Sequence, residues 1–125
     1  MRLTNRKIID ELLPILRKAV SCFLSNLDSL DWEAPSWQTG IKRIAEEVID
    51  GHIVEFLDFG DQIHISAMKS FDRGRFDYAQ LTAVVSCSDN RVSPELRFAK
   101  EFKGMGNGFY AKVDWNGKII YGEWD

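Results

Sequence analysis

"HIVEFLDFGDQIHISAMKSF", residues 52–71, is the stretch on which the reading of this chain turns. Its apolar residues recur at every second position on either side of Gly60-Asp61, the period of a half-buried strand. A glycine-led pair between two such runs suits a two-residue hairpin. That turn sets His64 opposite Leu57 and gives the hairpin two faces. One carries Val54, Phe56, Ile63, Ile65 and Ala67, a fair core. The other mixes Ile53, Leu57, Phe59 and Met68 with Glu55, Gln62 and His64. It is more apolar than a solvated sheet face requires, so a helix or a partner is expected over it.

Upstream the period is helical. Thr4 or Asn5 can cap a helix whose stripe runs from Ile8 and Ile9 through Leu12, Leu16, Val20 and Phe23 to Leu27, with Pro14 expected to kink or restart it. A loop, "DSLDWEAPSWQTG", leads to a second, shorter helix expected through Ile41, Ile44, Ala45, Val48 and Ile49 and ended by Gly51. Downstream, "FDYAQLTAVVSCS" reads as a third strand. Residues 93–103 open on Ser93-Pro94, a cap and first helical position, and are read as a short helix although they also alternate. The last two strands flank Asn116-Gly117, with Trp115 expected opposite Lys118 and Val113 opposite Ile120. The expected fold class is α+β: an antiparallel sheet of about five strands with two amino-terminal helices packed on one face, in a single domain over residues 1–125.

The net charge of −3 gives no general attraction to nucleic acid or anionic lipid. Its distribution says more. Residues 28–61 hold nine acids against two bases, whereas residues 69–118 hold nine bases against six acids. An acidic surface of this kind steers a basic partner. Cys22 and Cys87 form no paired motif, so two buried free thiols in a reducing compartment are expected. The start of the chain has no signal-peptide or membrane-span pattern, and the chain reads as cytoplasmic.

Several chemistries fail on context. "KGMGNG", residues 103–108, precedes a strand, whereas a dinucleotide fingerprint needs a following helix; it reads as a connection. His52 and His64 fall five residues apart along the paired strands and on opposite faces, so they do not share a metal or acid–base site. Arg73 and Arg75 interleave with aromatics, but Asp72 and Asp77 offset their attraction for phosphate. No nucleophile motif is present, and no catalytic residue, cofactor or metal is expected.

Size, acidity, charge segregation and element order together resemble the immunity proteins of bacterial toxin–immunity systems. That resemblance implies binding and neutralisation of a cognate basic toxin such as a nuclease. The candidate partner-binding residues are Asp28, Asp31, Trp32, Glu33 and Trp37 in the acidic loop, with Asp58 and Asp61 at the hairpin tip. Aromatic rings flanked by acids suit a binding hot spot. A second resemblance, to type III secretion chaperones, implies a dimer that wraps a client segment. A nucleic-acid-binding protein or enzyme using His64, Arg73, Arg75 and the glycine loop is the third reading.

Overall fold

A computed structural model describes residues 4–25, 42–70, 76–89, 91–102 and 106–122. Helix α1 (Asn5–Ser25) precedes seven strands: β1 (Lys42–Ile49), β2 (His52–Asp58), β3 (Gln62–Ser70), β4 (Phe76–Ser86), β5 (Glu95–Phe102), β6 (Gly106–Asp114) and β7 (Ile119–Tyr121). All seven join one antiparallel sheet in the order β1-β2-β3-β4-β5-β6-β7. The fold is α+β, with one helix on an open seven-stranded sheet.

The central hairpin follows its sequence pattern. Leu57 pairs with His64 and Val54 with Ala67. Gly60 has φ 101° and the Phe59 N–H donates to the Gln62 carbonyl at 2.8 Å, closing a two-residue turn that begins with glycine. The expected core face is buried throughout.

Three expectations fail for local reasons. The stretch around Ile44–Ile49 is strand β1, not a second helix. Asp50 and Gly51 take φ values of 49° and 83°, the paired positive angles of a tight hairpin turn. Gly51 therefore turns the chain back on itself instead of ending a helix. The residues after Pro94 form β5, not a helix. Ser93 Oγ does accept the Glu95 N–H at 3.2 Å, as a cap would. Alternation nevertheless decides the outcome, because Leu96 and Phe98 are fully buried on the core face between β4 and β6. In the last hairpin, Val113 pairs with Ile119 and not with Ile120. Asp114 Oδ1 accepts the N–H groups of Asn116 and Lys118, both at 2.9 Å, and Gly117 has φ 85°. The loop thus has three residues, one more than Asn-Gly alone implies, and the register moves with it. The glycines at 106 and 108 belong to β6, which leaves residues 103–105 of the glycine stretch outside the described residues.

Thr4 caps α1, its Oγ1 accepting the Lys7 N–H at 3.2 Å. The helix continues through Pro14, which is exposed, so the missing amide bond does not divide it. Nine apolar side chains of α1, from Ile8 to Phe23, are buried and pack chiefly across β3 and β4. Ala67, Ala79, Ala83 and Ala111 present small side chains on the opposing face, letting the helix sit close.

The helix contacts also reveal the curvature of the sheet. Arg17 donates to the Trp115 carbonyl in the β6–β7 turn, while the adjacent Lys18 meets Asp50 in the β1–β2 turn at 2.6 Å. Those turns lie at opposite ends of the strands and five strand spacings apart, roughly 24 Å if the sheet were flat. Neighbouring residues on a helix about 10–12 Å across cannot bridge that span. The sheet therefore curls around α1.

Two stability outcomes follow. Leu12→Ala, at a fully buried site, is expected to cost about 2–5 kcal/mol in denaturant unfolding. Pro14→Ala is expected to stabilise by about 1–3 kcal/mol, because it restores an interior helix bond at an exposed position. A destabilised Pro14→Ala protein would show that the ring has a packing role.

Candidate functional site

Because the sheet is a simple meander, order along the chain becomes order across the molecule. The β1–β2 hairpin carries five acids (Glu46, Glu47, Asp50, Glu55, Asp58) and two bases, and it forms one border of the sheet. The described residues of the β5–β6 pair carry three bases (Arg97, Lys100, Lys112) and three acids (Glu95, Glu101, Asp114), so the acidic excess does not extend toward the other border.

The register makes the separation concrete on the face away from α1. A single row across the sheet runs Glu46, Glu55, Ser66, Thr82, Arg97, Lys112, each residue paired with the next. Acids stand at one end and bases at the other. Between them the buried hydroxyls of Ser66 and Thr82 share a hydrogen bond of 2.7 Å. Glu55 and Arg97 are three strand spacings apart, roughly 14 Å along the sheet. That exceeds the physiological screening length of about 8 Å, so the two ends act as separate patches toward a partner.

Each patch borders a cleft. On the acidic side, Glu46, Ile53, Glu55 and Met68 line a cleft of about 350 Å³ that His52 and Lys69 also reach. On the basic side, Gln62, Ser86, Arg91, Ser93, Arg97 and Lys112 contribute to a cleft of about 340 Å³. Two of its bases are partly offset: Lys112 lies 3.5 Å from Glu95, and Arg91 lies 3.6 Å from Asp89. On β1, Glu46, Glu47 and Val48 are exposed, Val48 to 70%.

Beneath the acidic border lies a polar tether between helix and sheet. Glu11 Oε2 is 2.7 Å from His52 Nε2 and 2.8 Å from Lys69 Nζ. Lys69 first, with His52 adding to it, holds the Glu11 carboxyl below the ordinary carboxylate range against the opposing effect of burial. His64, on the other face, stacks on Phe59 with ring centroids 4.0 Å apart. Burial, aided by Arg97, pushes its pKa down and favours the neutral ring. The two histidines thus occupy opposite faces, as their spacing implies.

Of the residues singled out from the sequence, Asp28, Asp31, Trp32, Glu33 and Trp37 lie outside the described residues, as do Arg73 and Arg75. Asp61 is exposed at the hairpin tip. Asp58 is only 4% exposed, and its Oδ1 accepts the Gly60 N–H at 2.8 Å, so it braces the turn instead of standing on the surface. The thiols also differ from expectation. Cys22 is exposed on α1, and Cys87 is half-buried, with burial and then the charges of Asp58 and Asp61 raising its pKa. A raised pKa keeps Cys87 in its unreactive thiol form. Reading β1 as a helix hid the acidic border. The Asp50-Gly51 pair, a hairpin signal in its own right, was the cue that could have placed it.

Among the described residues no group of His, Cys, Asp and Glu is arranged to hold a metal, and no helix is long and apolar enough to cross a membrane. Comparison with protein-family models, curated proteins and solved structures found no match.

The tether gives a pH test. A carboxyl whose folded pKa is lowered stabilises fully above its unfolded pKa and loses that contribution as pH falls through the folded value. Glu11 is partly solvated, with a side chain 38% exposed, so screening limits its worth to roughly 0.2–1 kcal/mol. Glu11→Gln is expected to lower the urea midpoint at pH 7, with the gap closing on acidification below the carboxylate range. A gap independent of pH would assign the loss to packing instead.

Proposed function

We propose that this chain is a protein-binding module of the immunity or inhibitor type, whose acidic border engages a basic domain of a cognate partner, such as a nuclease toxin. The observation that carries the reading is the meander itself: it gathers the acids of β1 and β2 at one border and sets the bases of β5 and β6 apart from them. An acidic patch separated from basic ones by more than the screening length raises the encounter rate with a cation-rich surface and orients it. Glu46, Glu47 and Glu55 join Asp61 as the candidate contact acids, and the loop residues Asp28, Asp31, Trp32, Glu33 and Trp37 remain candidates beside them. Asp58 is left out because it is buried.

The resemblance to immunity proteins retains its size and charge but not its element order, since two expected helices are strands. The secretion-chaperone alternative meets the same difficulty, because the residues after Pro94, expected as a helix, form strand β5. No described arrangement of His64 with a nucleophile or a metal-binding group favours an enzyme.

The test is affinity capture from native cell lysate at low and high salt, comparing the unaltered chain with a Glu47→Lys/Asp61→Lys double variant. One stoichiometric basic protein, captured at low salt and weakened by high salt, is expected. The double variant should associate about tenfold more slowly at low salt with folding intact. An unaltered association rate would overturn this choice of surface, and capture of many unfolded clients would move the reading to a chaperone.

A further inference from the structure

The sheet has two borders, and they are not equivalent. β7 offers three residues, too short a template for another chain. β1 offers eight, interrupted by a register shift between Arg43 and Ala45 that leaves a regular edge over residues 45–49. Among the described residues, no strand pairs with the outer side of this edge.

The direction of its backbone groups follows from the turn. Ile49 and His52 flank the two-residue turn and form the first hydrogen-bonded pair; bonded and non-bonded pairs then alternate along the ladder. Val48, opposite Ile53, falls in a non-bonded pair. Its N–H and carbonyl therefore point away from β2, and its side chain is 70% exposed. A donor and an acceptor with no strand partner among the described residues, together with an exposed valine at one position, describe a site for strand addition.

We propose that residues 45–49 of β1 take an added strand from the partner, and that this strand carries adjacent basic residues followed by an apolar one. This rests on the protein-binding reading above and specifies how the partner is held. The charge pattern selects the occupant. A residue opposite Glu46 projects over the cleft of about 350 Å³ that Glu46 and Glu55 line, and a residue opposite Glu47 projects to the other face. Both positions suit Lys or Arg. The next residue lies beside Val48, which with Ile53 and Met68 offers an apolar contact. A second copy of this chain, paired symmetrically through Glu47, would set like charges opposite one another, which is unfavourable. Acids on the edge thus deter self-pairing and admit a cationic strand.

The probe is a capped hexapeptide, Thr-Val-Lys-Lys-Val-Thr, titrated into the full-length labelled chain and followed by amide chemical shifts and hydrogen exchange. The Val48 amide is expected to shift and gain protection, with little change along β5 and β6. The same peptide N-methylated at both lysines, or carrying Glu for Lys, should bind at least about tenfold more weakly, having lost main-chain bonds or charge complementarity. Val48→Pro removes the outward N–H at an edge position where proline is tolerated, and should abolish the effect while the chain stays folded. Val48→Thr keeps the N–H and should still bind. Equal binding of the N-methylated peptide, or no perturbation at Val48, overturns the proposal, as does concentration-dependent self-association lost in Val48→Pro. The two readings fail separately. A chain that captures its basic partner with Val48→Pro as strong as the parent keeps the acidic border as the interface and loses strand addition. A chain that captures no basic protein loses the binding reading itself.

Discussion

The burial of the α1 stripe inside the curl of the sheet is the interaction on which the rest of the molecule depends. Each large apolar side chain taken from water contributes about 1.5–3 kcal/mol, and nine apolar side chains of the helix are buried. The polar links from Arg17, Lys18 and Glu11 involve exposed or partly exposed groups, worth at most about 1 kcal/mol each. Apolar burial therefore supplies the stability, and the polar links choose among ways of satisfying it. Arg17 and Lys18 reach the β6–β7 and β1–β2 turns, which the curl of the sheet has brought to one helix. Trp115 adds a further brace, its indole N–H donating to the Ser93 carbonyl at 2.8 Å.

A meander wrapped on one helix has a consequence for surface chemistry. When strands follow one another in space as they do in sequence, any charge gradient along the chain is written across the sheet. A crossover topology would interleave the acidic and basic strands and cancel much of the field between them. Here the row from Glu46 to Lys112 keeps the gradient intact. The functional reading and the strand-addition proposal both descend from that topology, the first through charge and the second through the border it leaves at β1.

The parts of the fold that sequence made legible were those where one pattern had one interpretation. Strict alternation around Gly60-Asp61 gave the β2–β3 register and the core face down to individual residues. Where two patterns coexist, the sequence did not decide. Ile41, Ile44, Ala45, Val48 and Ile49 fit a helical stripe, yet Val48 ends exposed on a border strand, because the Asp50-Gly51 turn and the ladder to β2 override the local period. Ser93 makes its cap-like hydrogen bond, but burial of Leu96 and Phe98 between two strands outweighs it. At the last turn, Asp114 enlarges the loop by one residue, a side-chain effect invisible to a rule about Asn-Gly. The candidate site was legible as composition and not as place. The acids of residues 28–61 were countable, but their seat on β1 and β2 needed the strand assignment, and the buried role of Asp58 needed the turn geometry.

The most direct test of the central claim, that the acidic border is the face this molecule presents to its partner, is a hydrogen-exchange footprint of the chain alone and in its captured complex. New protection is expected to be confined to β1, the start of β2 and the Gly60-Asp61 tip, with β5 and β6 unchanged. Protection centred on Arg97 and Lys112, with β1 exchanging as freely as before, would contradict it and assign recognition to the opposite end of the sheet.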